Sequence, residues 1–377
     1  MAKTNKVTPI SELRKAYGRP ETQYYDTGIF LLNDIWGGGL PTGKIIEIHS
    51  GEGLGKTTIM LQACKSLIAK HNLKVAYLDV ENALDISLRS NLGIVPYESN
   101  DAVEPSFAYL CPFTYDEVSK TLNILTRGNY DIIIYDSIAN TSLDVDDSEE
   151  EDFKISKKLG QHALLQGELL KMFKGRLARS GKTLVIINQM RTNIITNPMK
   201  AKHAPELKPA GGKVLDHNFD IRTSIERVEW IFDDSKVKMG AKLRLTTIKN
   251  KVAPPYRQVE LELIFGWGIN KITTLCTVLV NKNIAVRTGA VYTLPNTVKC
   301  VGLEKLKDYI RENYALCLSF VGDSSYQVNI LGEKIEEGAA VDKTADGKEI
   351  VIKEDAETGG VSYNELEESF KQPTKRR

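Results

Sequence analysis

At 377 residues the chain is too long for one small domain and ample for a large core with appendages. Hydrophobic content of 42% and charged content of 26% belong to a soluble globular protein, and a net charge of +1 excludes a global basic field, so any nucleic-acid site has to be local. Five scattered cysteines (Cys64, Cys111, Cys276, Cys300 and Cys317) form no CxxC pair, which argues against zinc; with no signal peptide and no bilayer-length apolar run, a cytoplasmic protein with no membrane partner is expected.

Residues 1–25 are polar, with one short helical candidate at Ser11–Tyr17, and a glycine-rich passage from Gly37 to Gly43 follows. The strand Ile45-Ile46-Glu47-Ile48-His49 then runs into the loop Ser50-Gly51-Glu52-Gly53-Leu54-Gly55. Lys56-Thr57-Thr58 opens a helix whose apolar positions Met60, Cys64, Leu67 and Ile68 recur at helical spacing. Glycines let backbone N–H groups curl round phosphates, and the helix N-terminus favours an anion. Lys56 can reach β- and γ-phosphates, and the Thr57 hydroxyl can ligate Mg²⁺. Ser50 stands where the usual spacing has glycine. An ordinary glycine-rich turn would not explain Lys-Thr at the helix start, so nucleotide binding is the better reading.

A second strand, Lys74–Asp79, is followed by a helix over Thr114–Thr126 and a third strand, Asp131–Asp136. A long helix covers Ile155 to Ala178, then strand Thr183–Asn188, then an aperiodic stretch from Asn193 to Lys213. Strands at Ile221–Ile231, Leu243–Lys249 and Gln258–Phe265 close the series, the last two as an antiparallel hairpin across Val252-Ala253-Pro254-Pro255. The early alternation predicts a mostly parallel sheet with helices on both faces. Residues 271–331 read as a small separate α/β module, and 332–377 as an acidic, largely disordered tail.

In such a sheet, ligands sit at the carboxyl ends of the strands. Glu81, just beyond the second strand, is placed to act as general base on a water attacking the γ-phosphate. Asp136, after four apolar residues, is the candidate Mg²⁺-associated carboxylate. Gln189, ending the fourth strand, can hydrogen-bond the γ-phosphate and release the following loop when that phosphate is lost. Any one polar strand end alone reads as a turn former or helix cap, and Asp79 is as readily structural as catalytic. Three beside a phosphate loop favour the functional reading.

Several segments together resemble the RecA-type homologous recombinases over roughly residues 26–270. They are Asp26-Thr27-Gly28, Gly38 to Ile48, Gly55-Lys56-Thr57-Thr58, Asp79-Val80-Glu81-Asn82-Ala83-Leu84-Asp85 and Tyr135-Asp136-Ser137-Ile138-Ala139. Ile187-Asn188-Gln189-Met190-Arg191, Lys249-Asn250-Lys251-Val252-Ala253-Pro254-Pro255 and Phe265-Gly266-Trp267-Gly268-Ile269-Asn270 complete the set. The resemblance implies a RecA-like P-loop ATPase core with a C-terminal α/β module, ATP and Mg²⁺ as cofactors, and a helical filament of identical subunits. Residues 1–25 would form the polymerisation segment. Glu81 matches the water-activating glutamate, Gln189 the γ-phosphate sensor and Asp85 the adenine contact. Lys249 and Lys251 match lysines that reach the ATP of a neighbouring subunit; apart from the resemblance they would read as an exposed pair at a hairpin turn.

The resemblance also implies two DNA-binding loops. The first would span about Asn140–Lys158, where an acidic run from Asp144 to Asp152 leaves Lys154, Lys157 and Lys158 as the nearer candidates. The second would span about Arg191–Lys213, carrying Arg191, Lys200, Lys202, Lys208 and Lys213, with Gly211 and Gly212 for close phosphate approach. Leu88 stands where the family stacks a tyrosine on adenine, and Phe265 is a candidate second aromatic face. The function implied is an ATPase dependent on single-stranded DNA that pairs homologous duplex DNA and exchanges strands, with a single-strand-binding protein or loader as a further partner. The alternatives weighed are a RecA-fold mediator that loads or caps another recombinase, and, third, a ring-forming helicase motor.

Overall fold

The computed structural model describes residues 18–84, 106–142, 155–192, 207–211 and 215–322. The helical candidate at 11–17, Asp85, Leu88, the acidic run, Lys154, Lys200, Lys202, Gly212, Lys213 and the tail lie outside the described residues. In chain order the first elements are β1 (Tyr24–Tyr25), α1 (Phe30–Trp36), β2 (Leu40–Pro41), β3 (Ile45–Ser50), α2 (Lys56–His71) and β4 (Val75–Asp79). There follow β5 (Phe107–Leu110), α3 (Tyr115–Leu125), β6 (Ile132–Asp136), α4 (Ile155–Ser180), β7 (Thr183–Thr192) and β8 (Leu207–Pro209). Next come β9 (Ile221–Phe232), β10 (Lys238–Asn250), β11 (Gln258–Ile264), β12 (Gly268–Ile269) and α5 (Lys271–Asn281). The last described elements are β13 (Val286–Thr288), β14 (Val291–Thr293), β15 (Lys299–Val301), α6 (Leu303–Glu312) and α7 (Tyr314–Gly322).

The main sheet runs β12-β11-β10-β9-β3-β7-β6-β4-β5, with β8 paired to β7. Its pairs from β9 through β3 to β5 are parallel, and β9 to β12 are antiparallel. Both faces are covered, so the central strands are nearly continuous apolar runs. Alternate residues divide between two cores. Ile46, Ile48, Tyr77, Ile134 and Val185 join α1 and α2 on one face. Ile45, Leu78, Ile133, Tyr135 and Leu184 join α3 and α4 on the other. Helix α3 begins at a capping box in which Thr114 and Glu117 satisfy each other's backbone N–H groups. The elements from α5 to α7 share a third cluster centred on Leu275, Leu279, Leu306 and Ile310, while Val278 packs into the α1–α2 core.

Strand pairing moves two expected boundaries. β7 does not stop at Asn188 but continues to Thr192, because Met190, Arg191 and Thr192 pair with Pro209, Lys208 and Leu207. Arg191 and Lys208 therefore belong to a two-stranded ladder and not to an irregular loop. The first loop ends before Lys157 and Lys158, since α4 begins at Ile155. β5 had no sequence expectation: four residues are too few to show a period.

The pattern breaks at Glu47 and His49 of β3, which share the α4 face with Ile45. Glu47 is fully buried. Its carboxylate accepts from Arg222 Nε at 2.5 Å and Asn188 Nδ2 at 2.8 Å, and lies 3.2 Å from His49 Nδ1. Burial pushes Glu47 up, but His49 and Arg222 outweigh it and hold the carboxyl below its ordinary value. Truncating one side of a buried pair strands the other charge. Glu47→Ala is thus expected to lower unfolding free energy by about 3–5 kcal/mol in urea titrations, and a loss below about 1 kcal/mol would show the pair to be energetically silent.

Candidate nucleotide site and loop base

The carboxyl ends of β3, β4, β6 and β7 converge on a cavity of about 690 Å³. Glu52, Gly53, Leu54, Gly55, Lys56, Thr57 and Thr58 form one wall. Glu81, Asp136, Asn140, Gln189 and Arg191 form a second, and Leu263, Phe265 and Gly266 a third. Gly55 caps α2 at φ +72°, a conformation strained for any other residue, and a Cβ there would stand 2.8 Å from Leu263 Cδ2 of β11. Ser50 ends β3 fully paired to Gln189. Its hydroxyl donates to Gly51 O at 2.7 Å and accepts from Lys56 Nζ at 3.0 Å, and Gly51 O accepts from the same ammonium at 2.9 Å. Serine thus fits the departing position and holds the lysine at the cavity. Burial draws the Lys56 ammonium below its ordinary value, against the opposing pull of Asp136, Glu81 and Glu52.

Asp136 lies across the loop from Lys56. Its Oδ2 accepts from Thr57 Oγ1 at 2.6 Å and from Tyr77 OH at 2.5 Å. Burial pushes this carboxyl up to about 6, opposed by those two hydrogen bonds and reinforced by the charges of Glu81 and Asp79. A buried carboxylate with acidic neighbours beside a helix-start threonine fits a cation. Thr57 and Asp136 are a minimal protein set for Mg²⁺, which keeps waters and phosphate oxygens for its other positions. Among the described residues no cluster of three or more His, Cys, Asp or Glu could hold a metal alone.

The Glu81 carboxylate accepts at Oε1 from Gln189 Nε2 at 2.6 Å and from Ser137 Oγ at 2.5 Å. Candidate base and candidate sensor, 108 residues apart in sequence, are therefore in direct contact. Asp79 faces elsewhere: its Oδ2 accepts from Leu84 N at 3.0 Å and Tyr109 OH at 2.7 Å, a role in shaping the turn. Asn188, next to Gln189, donates to Glu47 and to Ala210 O at 3.0 Å, while its Oδ1 accepts from Gln189 N at 2.9 Å. The outgoing strand and the returning 207–211 segment are pinned at one point. Arg191 donates to Ala139 O at 2.6 Å and Asn140 Oδ1 at 3.0 Å, so its guanidinium ties β7 to the turn after β6. Lys208 is exposed on β8, and Gly211 follows at φ +87°.

Phe265, 42% exposed, lines the cavity, with Trp230 edge-on at 6.2 Å between ring centroids. Lys249 and Lys251 are elsewhere. Lys251 Nζ bonds Asp220 Oδ1 at 3.0 Å, and the other oxygen of that carboxylate accepts from Ile45 N at 3.2 Å. Lys249 Nζ donates to Asp216 O at 2.6 Å. Asn250 is in register with Ile221, itself paired to Ile46. Lys249 is in register with Arg222, itself paired to Glu47, and Lys251 lies beside Asp220 at the level of Ile45, so the two stand three and five residue steps, about 10 and 16 Å, from the Ser50 end that opens the phosphate loop. Sequence reasoning missed Tyr77 and Ser137. Ser137 was legible as the neighbour of Asp136, whereas a tyrosine inside an apolar strand gave no sign that its hydroxyl turns toward that carboxylate.

No described helix is long and apolar enough to cross a membrane. Residues 9–270 match the profile of the RecA N-terminal domain. Protein RecA of Frankia casuarinae is 33% identical over 297 residues, covering 78% of this chain and 81% of that protein. Protein RecA of Salinispora tropica is 32% identical over 332 residues, 88% of each, and that of Paramagnetospirillum magneticum is 29% identical over 352 residues, 87% and 90%. With a phosphate loop, acidic strand ends and a glutamine at the loop base all set on this sheet, the chain belongs to the RecA family of recombinases.

Proposed function

We propose that this protein is an ATP-dependent recombinase that assembles head to tail on single-stranded DNA, pairs it with homologous duplex and exchanges strands. The observation that carries the reading is the Glu81–Gln189 contact at the mouth of the phosphate cavity. It joins the group that would activate water to the strand that leads into the 193–206 segment. A γ-phosphate entering the cavity competes for the Gln189 amide, so nucleotide state and loop position become one equilibrium. With Oε1 engaged, Glu81 Oε2 is the oxygen left to take a proton from the attacking water. Lys56 and the N-terminus of α2 hold the phosphates, and bound Mg²⁺ would supply charge neutralisation at the β- and γ-oxygens. Phe265 offers a flat apolar face to the base.

The position of Lys249 and Lys251 supports an oligomeric enzyme. Set back along the sheet from their own phosphate loop, and with their ammonium groups at Asp216 and Asp220, they are suited to the nucleotide of an adjacent copy, where they would neutralise charge on the transferred phosphoryl group. Hydrolysis would then need both DNA, which aligns the copies, and the interface between them. Steady-state ATP hydrolysis is expected to rise at least about tenfold on adding single-stranded DNA, and Lys249→Ala to abolish that rise. A joint-molecule assay with homologous plasmid should give product only with ATP. Slow hydrolysis indifferent to DNA and to Lys249, with no joint molecules, would instead identify a mediator of another recombinase.

A further inference from the structure

Helix α4 brings a third cation to the lysine pair. Lys174 Nζ donates to Asn218 O at 2.5 Å and lies 3.4 Å from Asp220 Oδ1, the oxygen that also takes Lys251. Lys174 and Lys251 depress each other's neighbour, Lys249, whose ammonium is held below its ordinary value by burial and then by Lys251, Lys174 and Arg222. Arg222 is already matched by Glu47 at 2.5 Å and by Asp216 at 2.8 Å. Two ammonium groups therefore share one carboxylate, and the third, Lys249, reaches only a main-chain carbonyl among the described residues. The side chains of Lys174 and Lys251 are 33% and 46% exposed, so the cluster is open to solvent on one side. Such an arrangement is repulsive in the isolated subunit, and an external polyanion relieves it.

We infer that Lys174 is a third member of the cation set that this subunit presents to the triphosphate bound by an adjacent copy. The inference rests on the reading that Lys249 and Lys251 act across the interface, and it adds a residue from a different element of the fold. Asp220 is then a positioning residue: its carboxylate, anchored on Ile45 N and receiving both Lys251 and Lys174, fixes where two of the three ammonium groups stand. A triphosphate is favoured over the DNA backbone because the cluster lies at the start of β3, whereas the paired strands leading to 193–206 lie at its end. A head-to-tail contact brings the start of one sheet to the carboxyl end of the next.

The test is subunit complementation in DNA-stimulated ATP hydrolysis. Lys174→Ala alone is expected to lower the stimulated rate about tenfold, and Lys174→Arg, which keeps the charge, to retain most of it. Glu81→Gln subunits lack the base but keep all three lysines. Mixed in equal amounts, Glu81→Gln and Lys174→Ala should recover about a quarter of the wild-type rate, because one interface in four then joins an intact base to an intact cluster. Glu81→Gln mixed with Lys249→Ala is the parallel measurement for the underlying reading. Recovery with Lys249→Ala but none with Lys174→Ala would overturn the role of Lys174 and leave that reading standing. Recovery in neither mixture would overturn both. Loss of single-stranded DNA affinity in Lys174→Ala, with no recovery on mixing, would assign the cluster to the nucleic acid instead.

Discussion

Glu81→Gln is expected to reduce DNA-stimulated ATP hydrolysis by about 10²- to 10³-fold while nucleotide binding stays within about twofold of wild type. The amide oxygen can still accept from Gln189 and Ser137, which reach Oε1 at 2.6 and 2.5 Å, so the cavity wall keeps its geometry and only the basic oxygen is lost. Under the proposed function, a mutant that binds nucleotide and cannot turn it over should also dissociate more slowly from single-stranded DNA. Phosphate release and fluorescent-nucleotide titration together measure both halves of the expectation. Hydrolysis within a few-fold of wild type would move the proton acceptor away from Glu81. The same substitution supplies the defective partner in the mixing experiment with Lys174.

Asp136→Asn is expected to stabilise the nucleotide-free protein above neutral pH while abolishing Mg²⁺-dependent hydrolysis. The carboxyl, nine-tenths or more buried, is raised from 3.8 to about 6 by burial, with Glu81 and Asp79 adding to the shift and Thr57 and Tyr77 opposing it. Below the unfolded value the group is protonated in both states and costs nothing. Between the unfolded and folded values the folded state keeps a proton that the unfolded chain has released, and stability falls as pH rises. Above the folded value both states are ionised and the full penalty stands, on the order of 3 kcal/mol for a shift of about two units. The asparagine variant has no such penalty, so its advantage in urea denaturation should be largest at pH 8 and should shrink as pH falls through 6 toward 4. A constant difference across that range would mean that Asp136 is not the group being titrated. Stability surrendered at this position is the expected signature of a carboxylate kept for a cation.

The placement of the strand-end residues was readable because each motif is local. A run such as Ile132-Ile133-Ile134-Tyr135 announces a buried strand, and the polar residue that follows must lie at the sheet's edge, whatever the strand's neighbours. The same holds for Gly55-Lys56-Thr57, where loop, lysine and helix start are contiguous. Lys200 and Lys202, argued only from the family resemblance, lie outside the described residues. Arg191 was expected in a loop and stands in a strand, because the partner that extends β7 arrives sixteen residues later as β8.

What the sequence by itself determined was the longer strands and helices of a mostly parallel sheet and the polar residues that end its strands, while the short elements such as α1, β5 and β8 left no periodic trace, since hydrophobic period and backbone chemistry act over a few residues. Only the tertiary structure decided which of these residues meet. Glu81 with Gln189, Glu47 with Arg222, Tyr77 with Asp136, and Lys174 with Lys251 through Asp220 are contacts between distant segments. Strand order sets them, and strand order follows from burying two faces of one sheet at once, a condition on the whole chain that no single segment records.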